Sequence, residues 1–176
     1  MEDLTFQEIE RLLRSFALFR SISDEMLTEI IEKSEIAGFA PDEVIIPFGP
    51  PVTFLGVVLS GKAEARARVY TGAMEVREQG DYFGEVSLMT GEPAAFTIVA
   101  VEPTRVLMIP DDLFSRWVAS DASTRHRFAR SMGRRMVLLE EDLRARAERS
   151  RQPFARVAVV AVGAEADDDR QRLAPL

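Results

Sequence analysis

The 176 residues carry 29 acidic and 22 basic side chains, a net charge of −7, which excludes a general nucleic-acid-binding surface but not a local basic patch. There is no cysteine, which removes disulfide scaffolds and thiolate metal sites. With 47% apolar residues the chain is long enough for a real core, and no run approaches the roughly 18 apolar residues of a membrane span. Met1-Glu2-Asp3 is acidic and lacks the basic start and apolar run of a secretory leader, so the expected location is cytoplasmic.

Residues 1–34 read as an N-terminal helical segment. Leu4, Ile9, Leu12, Leu13, Phe16 and Phe19 recur at helical spacing. Ser21-Ile22-Ser23-Asp24 breaks that helix, and Ser23 caps a second one with Met26, Leu27, Ile30 and Ile31 inward. Over residues 35–110 the period falls to two. Ile36, Phe39, Val44, Ile45, Ile46, Phe54, Val57, Val58 and Leu59 lie in short runs punctuated by Pro41-Asp42, Gly49-Pro50-Pro51 and Ser60-Gly61. Residues 69–80 read as a hairpin through Thr71-Gly72. Phe96–Val101 and Arg105–Ile109 read as the last strands. Short strands with such turns make a small barrel or sandwich.

Residues 111–150 read as a C-terminal helical arm. Pro110-Asp111-Asp112 starts a helix with Leu113, Phe114, Trp117 and Val118 inward. A longer helix follows from Asp121 to about Arg149. Its Phe128, Met132, Met136, Leu139 and Leu143 lie at steps of 4, 4, 3 and 4, close to a coiled-coil seam. Two readings follow: a homodimer seam over residues 121–149, or packing on the chain's own barrel. Arg125, Arg127, Arg130, Arg134 and Arg135 make one end basic, as a solvated face or as an anion or partner contact. Residues 151–176 read as a linker and the start of a further domain, because 154–163 is nearly continuous apolar sequence ending in Gly163.

The stretch Asp81–Ala100 organises the rest. Gly80 and Asp81 supply turn chemistry, Gly84 allows close backbone approach, and Glu85–Thr90 is long enough for about two helical turns. A helix opening on glycine presents N–H groups that suit a phosphate. Gly91 and Pro93 stop it.

This stretch resembles the phosphate-binding cassette of cyclic nucleotide-binding domains, the module of bacterial catabolite activator proteins and kinase regulatory subunits. The family writes Phe-Gly-Glu-x-Ser/Ala-Leu, a short spacer, then Arg-Ser/Thr/Ala-Ala-Thr-Val. Phe83-Gly84-Glu85-Val86-Ser87-Leu88 fits every position, and Met89-Thr90-Gly91-Glu92-Pro93 is a familiar spacer. Ala94 then stands where the family has its phosphate-binding arginine. Ala95 and Phe96 follow before Thr97 and Ile98 resume the pattern. Two further runs are similar to the family: Leu18–Leu27 to its helical lead-in, and Val57–Ala65 to its central strand, glycine turn and next strand.

The resemblance implies a mainly β fold with flanking helices, an antiparallel, jelly-roll-like β-roll of about eight strands with N-terminal helices and a long C-terminal helix. It implies a regulatory domain of a larger protein, with cAMP or cGMP as ligand and no other cofactor. Glu85 would accept from a ribose 2′-hydroxyl. Amides near Gly84, Glu85, Val86 and Ser87 would line the ring or phosphate. The candidate ligand-binding residues are therefore Phe83, Gly84, Glu85, Val86, Ser87, Ala94, Ala95 and Phe96.

Losing one partner of a buried charged pair costs about 2–5 kcal/mol, so conventional cAMP or cGMP binding is expected to be weak or absent. The alternatives are a working sensor with a substituted phosphate contact, such as Arg125 or Arg127, and the regulatory portion of a patatin-like phospholipase. Phe96, Met74 and Met89 are expected to make the pocket more apolar. His126 stands alone, and Asp167-Asp168-Asp169 reads as a solvated loop, so no metal site is expected. No nucleophile elbow or phosphate loop appears, so no catalytic residue is assigned. No helix-turn-helix pattern marks a DNA-binding element.

Overall fold

The computed structural model describes residues 4–67, 73–130, 132–133 and 144. The first helix, α1 (Phe6–Ser15), starts at Thr5 through a reciprocal cap. The Thr5 hydroxyl accepts from the Glu8 amide, and the Glu8 carboxylate accepts from the Thr5 amide at 2.8 Å. A 3-10 turn, Ala17–Phe19, leads to α2 (Asp24–Lys33), whose Ser23 cap accepts from the Met26 amide at 3.2 Å. The expected single helix over 4–19 is thus shorter. Phe16 leaves helical geometry with ψ of 137°, and that bend turns Leu18 and Phe19 into the core.

Eight strands follow: β1 (Glu35–Phe39), β2 (Val44–Ile46), β3 (Phe54–Ser60), β4 (Ala63–Arg66), β5 (Ala73–Arg77), β6 (Tyr82–Phe83), β7 (Thr97–Ala100) and β8 (Thr104–Pro110). The cassette helix α3 (Glu85–Thr90) lies between β6 and β7, and α4 (Asp111–Ser120) follows β8. All pairings are antiparallel. One sheet has the order β1-β8-β3-β6 and the other β2-β7-β4-β5. This is the expected β-roll with flanking helices.

The chain builds three layers. Leu55, Val57 and Leu59 of β3 pack with Leu107 and Ile109 of β8 against Leu13, Phe19, Leu27, Ile30, Leu113 and Trp117. Val58 and Val106 point the other way, into a second core with Ile45, Ile46, Ala63, Ala65, Ile98 and Ala100. Two-sided burial explains why β3 is a continuous apolar run rather than an alternating one. Phe19 stacks on Trp117 with ring centroids 5.3 Å apart.

Residues 122–130 are helical. Asp121 caps this helix, accepting from the amides and hydroxyls of Ser123 and Thr124. Those bonds, the Thr124 hydroxyl first, hold the Asp121 carboxyl at about 2, below its ordinary 3.8. A depressed carboxyl stabilises the fold above its unfolded pKa and loses that contribution as pH falls through the folded one. Between about pH 4 and pH 2, wild type is therefore expected to lose more stability than Asp121→Asn. Parallel acid titrations followed by circular dichroism check this, and identical acid limbs would refute it.

Phe128, the first position of the supposed dimer seam, is fully buried inside this chain, edge-on to Tyr82, Phe114 and Trp117. That reading is corrected at Phe128, because the ring is consumed by the chain's own core. Met136, Leu139 and Leu143 lie outside the described residues, as do the turn at 71–72, the strand expected over 154–163 and Asp167–Asp169. Among the described residues no helix is long and apolar enough to cross a membrane, and no cluster of histidine or acidic side chains could hold a metal.

Candidate functional site

The site begins where two sheet edges meet. β5 is an outer strand of one sheet and β6 an outer strand of the other. The turn between them is tied down by backbone bonds: Gly80 donates to Val58, Val58 donates to Asp81, and the Asp81 carboxylate accepts from the Glu78 amide. Tyr82 and Phe83 pair with Val57 and Gly56 of β3. Phe83 lies in the second core at 2% exposure, with Gly56 leaving the space its ring fills.

Gly84 then caps α3 with φ of 92°. A methyl group there would come within 2.8 Å of the Phe54 carbonyl and 3.2 Å of Val52. Gly84 thus lets the cassette turn pass close to Phe54, the first residue of β3. Gly84→Ala is expected to cost about 1–3 kcal/mol, from left-handed strain and that contact together. Urea denaturation reads the loss directly, and an unchanged midpoint would show that the turn relaxes freely.

Glu85, the first residue of α3, is 2% exposed. Ser87 and Leu88 are half-buried, whereas Val86 and Met89 face outward at 44% and 38% exposure. Met89 therefore lies on the outer side of α3. It sits three residues from Val86, so both fall on one outer face of the short helix. The side chain of Met74 lies outside the described residues. The helix stops at Gly91, which has φ of 75° and donates to Ser87 at 2.8 Å.

Ala94 is 5% exposed and belongs to the second core. Its amide donates to Pro50 at 3.1 Å and its carbonyl accepts from Gly49 at 3.0 Å, which joins the cassette to the loop between β2 and β3. Ala95 is exposed, while Phe96 is half-buried and packs on the second core. The structure thus gathers Phe83, Ala94 and Phe96 onto one apolar cluster. Gly84 and Glu85 follow directly on Phe83, and Val86 and Ala95 turn their side chains to solvent.

Neither arginine named as a substitute serves the cassette. Arg125 donates to the Val118 and Ala119 carbonyls at 3.2 and 2.8 Å. Arg127 donates to the Ala17 and Leu18 carbonyls and to the Ser21 hydroxyl. Both guanidinium groups are engaged with exposed carbonyls at helix ends, which are strong acceptors.

The sequence reading missed Arg77. It is 6% exposed, and among the described residues it is the one cation that is buried. Its Nε donates to the Tyr82 carbonyl at 3.1 Å, its Nη2 donates to Glu75 at 2.6 Å, and its Nη1 also pairs with Glu75. The alternation Glu75-Val76-Arg77 carried a signal, since Val76 is 45% exposed and the charged neighbours point inward. Only the strand register says which face is inside.

The geometry and the sequence agree with known proteins. Residues 37–121 match the family model of the cyclic nucleotide-binding domain. The chain is similar to the "cGMP-dependent protein kinase" of Eimeria tenella, 31% identical over 111 residues, 63% of this chain and 11% of the relative. The chain thus spans only about a tenth of that curated relative. Among solved structures it is similar to "cAMP bound PfPKA-R (141-441)", with a TM-score of 0.69 and 20% identity over 77% of this chain and 46% of that one. It is also similar to the "Regulatory subunit of a cAMP-independent protein kinase A from Trypanosoma brucei", with a TM-score of 0.62 and 15% identity over 68% of this chain and 44% of that one. At these identities the structural likenesses speak for the fold.

Proposed function

We propose that this chain is a regulatory cyclic nucleotide-binding-like domain of a larger protein, in which conventional cAMP and cGMP binding is weak or absent. The observation that carries this reading is Ala94, buried at 5% exposure where the cassette pattern calls for arginine. No lysine or arginine occurs from Asp81 to Phe96, while Asp81, Glu85 and Glu92 do. A cyclic phosphate entering this stretch meets acidic side chains and no cation. The amides that open α3 remain, but a helix terminus contributes about 0.3–1 kcal/mol against the 2–5 kcal/mol of a lost charged partner.

Catalysis forms no part of this role, and the domain acts by contacts that its helices and cassette make with the rest of the protein. Calorimetric titration with cAMP and with cGMP tests the reading. Dissociation constants from about tens of micromolar up to millimolar are expected, by about tenfold per 1.4 kcal/mol over 2–5 kcal/mol from a micromolar reference. A low-micromolar constant for either nucleotide would overturn it.

A further inference from the structure

We propose that Glu75 and Arg77 form a gated anion site inside the roll, in which the Glu75 carboxylate occupies the place of a cyclic phosphate until it is displaced. This rests on the reading of the cassette as lacking its cation.

The register places the pair. Arg77 pairs across the sheet with Ala63, which pairs with Ala100, and Glu75 pairs with Ala65, which pairs with Ile98. Directly paired residues share a face. Ala63, Ala65, Ile98 and Ala100 all belong to the second core together with Phe83 and Ala94. Arg77 and Glu75 therefore stand on the inner face, Arg77 in a row completed by Ala63 and Ala100 and Glu75 in one completed by Ala65 and Ile98. The bond from Arg77 Nε to the Tyr82 carbonyl fixes the guanidinium one residue before Phe83-Gly84-Glu85.

The two partners differ in access. The Arg77 side chain is 7% exposed and the Glu75 side chain 38%. The guanidinium is rooted in the interior and the carboxylate sits at its mouth. A planar guanidinium takes a phosphate oxygen pair with the geometry it offers a carboxylate. An incoming monoanionic phosphodiester thus competes with Glu75 for the same donors, and Glu75 has solvent to swing into. Arg77 is buried with its counter-charge at hand, which accounts for its stability in the absence of ligand.

The test is calorimetry on residues 1–176 with cGMP, cAMP and, as an uncharged control, guanosine. Glu75→Gln is expected to bind both cyclic nucleotides about tenfold tighter or more than wild type, with guanosine unchanged. The gain is expected to vanish in Glu75→Gln/Arg77→Met and to shrink in Glu75→Gln/Arg77→Lys, which keeps a charge should the Met variant fail to fold. A Glu75→Gln protein that folds and binds no tighter than wild type overturns the proposal, as does a gain that survives loss of Arg77. Ala94→Arg reads the cassette separately: tighter binding there, with none in Glu75→Gln, rejects the gate and leaves the cassette reading standing.

Discussion

Ala94→Arg is expected to tighten cAMP binding by at least about thirtyfold. The figure follows from the lower end of the roughly 2–5 kcal/mol that a buried charged partner is worth, at about 1.4 kcal/mol per factor of ten. The main chain at residue 94 is already fixed by its bonds to Gly49 and Pro50, so the new side chain inherits a defined origin. The obstacle is Phe96, which packs on the core that holds Ala94 and stands where the cassette pattern has alanine. Ala94→Arg/Phe96→Ala is therefore the companion variant. If the single variant is silent and the double one binds, Phe96 fills the ligand's space. If both are silent in calorimetry, the cassette reading fails, because restoring its missing parts would not restore its chemistry.

Phe128→Ala is expected to destabilise the fold by about 3–5 kcal/mol, the usual cost of removing a buried aromatic ring. Phe128 meets Phe114 and Trp117 at centroid distances of 5.2 and 5.8 Å and Tyr82 at 5.2 Å, so it links α4, the helix after it and the strand that opens the cassette. Truncation leaves three aromatic rings facing a void, and the core cannot collapse around it without moving β6. A urea midpoint within 1 kcal/mol of wild type would contradict this account. The same experiment decides between the two readings of this helix at that position. Loss of stability independent of protein concentration marks a ring that serves its own chain, whereas a seam residue would make the loss concentration-dependent.

Much of the architecture is legible in local pattern. Ser23 before an acidic first turn announces α2, and Gly91 with Pro93 announces the end of α3, because caps and stops depend on a few adjacent residues. The run from Gly80 to Thr90 is readable for the same reason: turn, short strand, glycine and short helix follow one another directly along the chain. The outward face shared by Val86 and Met89 was not legible, because two helical turns carry too little periodicity to assign a face. Arg127 was misread because its acceptor at Ala17 lies 110 residues away. No spacing rule reaches that far.

Periodicity and turn residues by themselves determined a small barrel or sandwich of short strands with flanking helices, because strand and helix spacing is carried by neighbouring residues wherever the chain folds. The β-roll, and the arginine expected where Ala94 stands, came from the likeness of Phe83–Leu88 to the cassette of a known family. Only the tertiary structure decided that Arg77 and Glu75 face inward, that Phe128 belongs to the chain's own core, and that Arg125 and Arg127 are held at helix ends. Each of these depends on which strands pair and which helices meet, and a strand exchanges its buried and exposed faces with a shift of one residue in register.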